Sequence, residues 1–417
     1  MPNVLEGTPL SMAKHVARLS LFALLISAAG EAAAGPFEQP PSYSAGAVLG
    51  QASKGANYVV LSPVVSDGMM RRYTMRTRWG DFEATRDQLM AARLKELNAL
   101  HALDETNAPK SFGQAAVKAG LSPVIFAGNL IAHPVDTTQN TAAGIGQLFG
   151  GIGSGLNNMG KSREDAVASL TGEAKQRRLI ATGLGVDPYT DFKPLADRLD
   201  ELAGAAAVGN LAVSGAFMVV PGAAGIVVSN TSTAGTLNGT VNDYSSAQLM
   251  DINRDKLARL GVDGATADSL FANRNYTPVD VTAMVEALSS LSGVQNLDET
   301  VARAAAADSR ATAYFVRRRM ELTAAWQRGH KTLAGFVGVD SVRFPLGRTA
   351  SSGIVGVYPI DSLSWTPETA RTIEAMTGEA ERSGATSKTL VITGTATPLA
   401  KSNLATEGWS LQERARL

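Results

Sequence analysis

Between Glu201 and Asp243 the chain carries no charged residue. A stretch of that kind has two places to go, a protein core or a bilayer. Its apolar heart, Leu202 to Ser229, reads LAGAAAVGNLAVSGAFMVVPGAAGIVVS. The part from Ala203 to Val220 reaches the length of about 18 apolar residues that a bilayer-spanning helix needs. It is rich in Ala and Gly, however, and contains Asn210 and Ser214. Pro221-Gly222 then interrupts it, because proline lacks an N–H and clashes with the preceding turn. The residues that follow, AAGIVVSNTSTAGTLNGTVN, are too polar to return through lipid. Small side chains let helices approach closely. The stretch therefore predicts a buried helical hairpin at 202–241 in a soluble core, with Gly204, Gly209, Gly215, Phe217 and Pro221 as packing positions. Insertion of the same hairpin into a membrane is the alternative.

The N-terminus predicts export. Read from Met12, Lys14 and Arg18 give a positive start, Leu19 to Ala29 an apolar run, and Ala32-Ala33-Ala34 a small-residue exit. This is the three-part plan of a cleaved signal peptide. Residues 1–34 are read as that leader, with Met12 as the true start and the mature chain beginning near Gly35 in the periplasm or outside the cell.

Composition excludes several classes of function. Lys+Arg and Asp+Glu both total 38, so no net basic field draws nucleic acid. Cysteine is absent, which removes disulfides, thiolate catalysis and Cys-based metal sites. His101, His133 and His330 stand apart without HExxH or paired spacing, so no metal site and no cofactor are expected.

The element pattern predicts an α+β fold: a mainly helical Gly/Ala-rich central domain, an N-terminal β-meander and a C-terminal β-α-β-α-β unit. Residues 35–55 are rich in Pro, Gly and Ser and read as a flexible lead-in. YVVLSPVV at 58–65 and YTMRTR at 73–78 alternate as strands within a meander at 56–82. A helical domain spans 83–330. It opens with a helix at 83–101 and closes with a long one at 297–328. Thr277-Pro278, with Asp280 in the first turn, announces another helix start between them. The tail, 331–417, reads strand–helix–strand–helix–strand, the order of a small parallel unit. The meander is expected to pack beside it in one mixed sheet. Ligands favour the carboxyl ends of parallel strands, which points to the loops Asp361–Trp365 and Thr393–Pro398.

One motif is sharp. Gly155 to Ser162, GLNNMGKS, resembles a Walker A box, in which backbone cradles phosphate while Lys161 and Ser162 meet phosphate and magnesium. Gly155, Gly160, Lys161 and Ser162 would form it. The context argues against it, because GIGQLFGGIGSG before it is no strand and Arg163-Glu164-Asp165 is charged where a buried helix should start. Arg317-Arg318-Arg319 spreads around a helix and reads as a solvated face. No catalytic residue is assigned. The expected function is that of an exported, non-catalytic binding or envelope-associated protein with a protein partner or membrane contact. The alternatives are a membrane-active protein using 202–229 and a nucleotide-binding enzyme.

Overall fold

The computed structural model describes residues 36–104, 172–207, 237 and 240–415. The chain divides into Met1–Glu38 and Gln39–Leu417, and the fold below is that of the second unit. The leader, the Walker-like segment and Gly209, Gly215, Phe217 and Pro221 lie outside the described residues.

Residues 42–55 are not the flexible lead-in that composition suggests. Ser42–Tyr43 (β1) pairs antiparallel with Val64–Ser66 (β4). Ser44 caps a short helix, Ala45–Leu49 (α1), whose Ala45, Val48 and Leu49 are buried. Lys54–Gly55 (β2) pairs with Tyr58–Val60 (β3). Both β3 and β4 then pair with Arg71–Thr77 (β5), which also pairs with Gly80–Thr85 (β6). Burial alternates along β5, placing Arg71, Tyr73 and Met75 inward. Residues 83–85, expected to begin a helix, complete β6 instead, because the ladder to β5 outweighs their helix preference. Arg86, at φ +84°, ends the strand, and Asp87–Asp104 (α2) follows.

Gly172–Gly183 (α3) and Lys193–Ala207 (α4) pack behind α2, with Ile180, Ala181, Leu195 and Leu199 in one core with Tyr73 and Met75. The charge-free stretch thus begins inside α4, where Ala203 is fully buried and Leu202 packs against that core. Gly204 sits in the same helix, where a Cβ would come no nearer than 3.9 Å to Glu173 Oε1. Leu237 and Val241 are buried with Leu249, Val279 and Ala283. Among the described residues, no helix is long and apolar enough to cross a membrane.

Ser246–Arg259 (α5), Gly264–Ala272 (α6), Pro278–Ser289 (α7), Leu297–Ala305 (α8) and Arg310–His330 (α9) complete the helical part. The long helix expected at 297–328 is two, because Ser309 restarts it as an N-cap accepting from Thr312 N–H. The terminal part contains Leu333–Val337 (β7), Leu346–Thr349 (β8), Gly353–Tyr358 (β9), Ser362–Leu363 (β10), Pro367–Arg382 (α10), Ser387–Ile392 (β11), Thr395–Ala396 (β12), Pro398–Thr406 (α11) and Trp409–Gln412 (β13). Its sheet has the order β13-β11-β9-β8-β7. Strands β9, β11 and β13 are parallel, and β8 and β7 are antiparallel. The meander does not join this sheet, and β10 pairs with β12 apart from both, so in place of the single mixed sheet expected from the sequence the described strands form three sheets.

Helix α9 ties the cores together. Tyr314 enters the core of the N-terminal sheet, and Phe315 packs with Ile354, Tyr358, Ile373 and Leu390. Met320 and Trp326 pack with Val355, Val357 and Val391 on the opposite face of the C-terminal sheet. From Ala313 to Ala324 every residue of α9 but Val316 is buried, so its middle turns have no solvated face, which corrects the reading of Arg317-Arg318-Arg319: all three are buried. Arg317 and Arg318 both donate to Glu321. Arg319 donates to Pro345 O at 2.6 Å and lies over the rings of Phe336 and Tyr358.

Candidate functional site

Two buried ionic centres stand out, and both lie where α9 meets its neighbours. The first is at the carboxyl ends of β9 and β11. The chain leaves β9 through Pro359 to Asp361 and leaves β11 through Thr393-Gly394. The two exits touch, since a Cβ on Gly394 would lie 1.9 Å from Asp361 O. In many α/β folds this edge is open to ligand. Here the 67–70 turn fills it. Asp361 and Ser362 donate their N–H to Met69 O, at 3.0 and 3.2 Å, and Ser364 N–H donates to Gly68 O at 2.8 Å. Gly68 must be glycine twice over: its φ is +99°, and a Cβ would meet Thr366 Cγ2 at 2.9 Å.

The Asp361 side chain closes the junction. Its Oδ2 accepts the backbone N–H of Arg71 at 3.0 Å and of Asp87 at 3.3 Å, while its Oδ1 is buried without a partner. Asp87, in the first turn of α2, accepts from Arg71 Nη1 at 2.6 Å and from Tyr73. Burial first, then the charge of Asp87, pushes Asp361 well above the usual carboxylate range. Burial also raises Asp87, against the pull of Arg71. Arg86 supplies a further cation, held over the Phe315 ring at 4.2 Å.

The second centre surrounds a cavity of about 40 Å³ between α2, the 184–192 connection, α7 and α9. The Thr277 cap and Asp280 form a capping box at the start of α7. That cap holds Asp280 where Arg317 Nη1 reaches its Oδ1 at 2.9 Å and Arg310 Nη1 reaches its Oδ2. Asp191 takes Arg93 Nη2 at 2.6 Å and Arg310 Nε at 3.3 Å, and Arg93 Nη1 donates to Glu96 at 2.7 Å. Burial opposes the charge of Asp280, but Arg310 and Arg317 outweigh it and hold the group below the ordinary range. Asp187 is bonded differently. It accepts from Thr277 Oγ1 at 2.6 Å and Tyr189 N–H at 2.7 Å, both neutral. Burial, and then the nearby Asp280, pushes it up to about 7. Burial pulls Lys95, also on the cavity wall, down to about 8.

Of these groups, the sequence pointed to Asp361 through the strand-end rule and to Asp280 through its cap. Asp87, Asp187 and Lys95 carried no local signal, because only chain folding brings them to a buried boundary. His101 is hydrogen-bonded with Asn57 at 2.7 Å, and His330 stacks on Trp326. Among the described residues no group of three or more His, Cys, Asp or Glu side chains could hold a metal. No protein-family model matches the chain, and neither a curated protein nor a solved structure is similar to it.

Proposed function

We propose that the chain is an exported, envelope-associated binding protein of bacterial type that carries no reaction of its own. The filled strand edge supports this reading. The crevice in which an α/β enzyme would receive substrate is occupied by residues 67–70 of the same chain, joined to 361–364 by backbone hydrogen bonds. The leader at 1–34 supports export. A second reading, membrane contact by 202–229, is supported by the absence of charge along that segment. The chain enters it from α4, with Leu202 and Ala203 packed, and returns at Leu237 and Val241, also packed.

Expression of the full-length chain in a Gram-negative host separates the readings. A product that begins near Gly35 and is released by alkaline washing supports the first. Retention in washed membranes favours the second. An unprocessed cytoplasmic product overturns export. A nucleotide-induced rise in melting temperature that Lys161→Ala abolishes would install the nucleotide-binding alternative in place of both.

A further inference from the structure

We propose that Arg319 of α9 and Arg303 of α8 bind one oxyanion, a carboxylate or a phosphate, where both meet the 338–345 loop between β7 and β8. This site stands apart from the question of export.

Arg319 is a buried cation that lacks a counter-charge. Its neighbours Arg317 and Arg318 pair with Glu321. Among the described residues no carboxylate pairs with Arg319. Its Nη2 donates to Pro345 O at 2.6 Å, while its Nε is buried with no partner. Its Cζ lies 5.7 Å from the centre of the Phe336 ring and 5.5 Å from that of Tyr358. One carbonyl and two ring faces offer partial charge only. The Tyr358 hydroxyl adds none, since it donates to Phe344 O at 3.1 Å and to Pro345 O at 2.8 Å, and burial raises its pKa. Burial pulls the pKa of Arg319 down, and the like charge of Arg303 pulls the same way. A guanidinium nevertheless keeps its proton. A buried ion of this kind is strongly disfavoured until a counter-ion reaches it.

Arg303 gives the site its open side. It lies in the last turn of α8 and is exposed. Its Nη1 reaches Val339 O at 3.3 Å and its Nη2 reaches Val342 O at 3.5 Å. Both are at the long end of the hydrogen-bond range, so a charged acceptor can compete for these donors. The carbonyls of Val339, Val342 and Pro345 thus hold two guanidinium groups against one loop. Among the described residues Arg303 has no carboxylate partner either, and Asp340, the acid of this loop, is exposed and pairs with no cation. The planar fork of a guanidinium presents parallel N–H groups that match the paired oxygens of a carboxylate or phosphate. That geometry favours an oxyanion over a halide.

The test is thermal unfolding of the full-length chain in chloride at constant ionic strength, with acetate or inorganic phosphate titrated in. At roughly a hundredfold excess over Kd, Tm is expected to rise by about 3 °C and to saturate. A saturable rise with either anion supports the site, and the anion that gives it tells carboxylate from phosphate. Arg303→Met and Arg319→Met should each remove the saturable rise. Absence of a rise with both anions overturns the proposal. So does a rise that grows linearly without saturation, which is the mark of salt exclusion from the surface. A saturable rise that survives in either folded variant overturns it as well. If Arg319→Met does not fold, Arg303→Met decides, because its side chain is exposed and its loss leaves the core intact.

Discussion

The Asp361 carboxylate accepts the backbone N–H of Arg71 at 3.0 Å, across 290 positions of sequence. The same oxygen accepts the N–H of Asp87, so one side chain of the C-terminal part satisfies two buried donors of the N-terminal part. Buried donors left unpaired cost about 1–3 kcal/mol each. Asp361→Ala is therefore expected to destabilise the chain by about 2–4 kcal/mol in urea unfolding. Asp361→Asn keeps one acceptor oxygen and should cost far less. Its deficit should shrink as pH rises, because the parent carboxyl loses stability on ionising while the amide does not.

The contact between the two strand exits sets a second expectation. Gly394→Ala would place Cβ 1.9 Å from Asp361 O, which only backbone movement relieves. A loss of about 3 kcal/mol or more is expected. Gly46→Ala is the control. It lies in α1 with nothing within 4 Å of the added Cβ, so it should stabilise by about 0.5–1 kcal/mol. Equal effects of the two changes would show that the exits are not packed as described.

Asp280 is fully buried between two arginines. Asp280→Ala removes a cap acceptor and a buried carboxylate that Arg310 and Arg317 share, and is expected to cost about 3–5 kcal/mol. Replacing the pair together, as Asp280→Leu with Arg317→Met, should recover part of that loss. A double variant as unstable as the sum of the single ones would remove the ion pair as the cause.

Stability should pass through a minimum between about pH 7 and 8. Asp187 rises on folding from 3.8 to about 7. Its contribution is complete below pH 3.8 and is lost as pH rises through 7. Asp361, raised by burial, acts with the same sign. Lys95 falls on folding from 10.5 to about 8, so its contribution is present above 10.5 and is lost as pH falls through 8. Urea midpoints measured from pH 5 to 9.5 give the curve. Asp187→Asn should flatten its acid limb, and Lys95→Met its alkaline limb.

What was legible in the sequence was local. The Thr277-Pro278 start falls where its own residues place it, and the strand–helix–strand–helix–strand order of the tail recurs in β9, α10, β11, α11 and β13. Caps, prolines and apolar alternation act over a few residues, so their signal survives without the fold. The α+β class, with antiparallel strands first and a parallel unit last, follows from the same signals. The choice between strand and helix at 83–85 did not, because it depends on β5 being beside them.

The tertiary structure decided everything that depends on neighbours distant in sequence. It divided the described strands into three sheets and laid the 67–70 turn across the carboxyl edge. It buried Arg317-Arg318-Arg319, since the middle turns of α9 are packed among three cores. It also gave carboxylates unlike states: Asp280 meets two guanidinium groups and Asp187 meets none in hydrogen-bond contact. The sequence by itself determined the helix start at Thr277-Pro278, because caps and prolines act through bonds along the chain. Burial and charge are properties of what surrounds a side chain, and in this protein those surroundings are assembled from positions as far apart as Asp87 and Asp361.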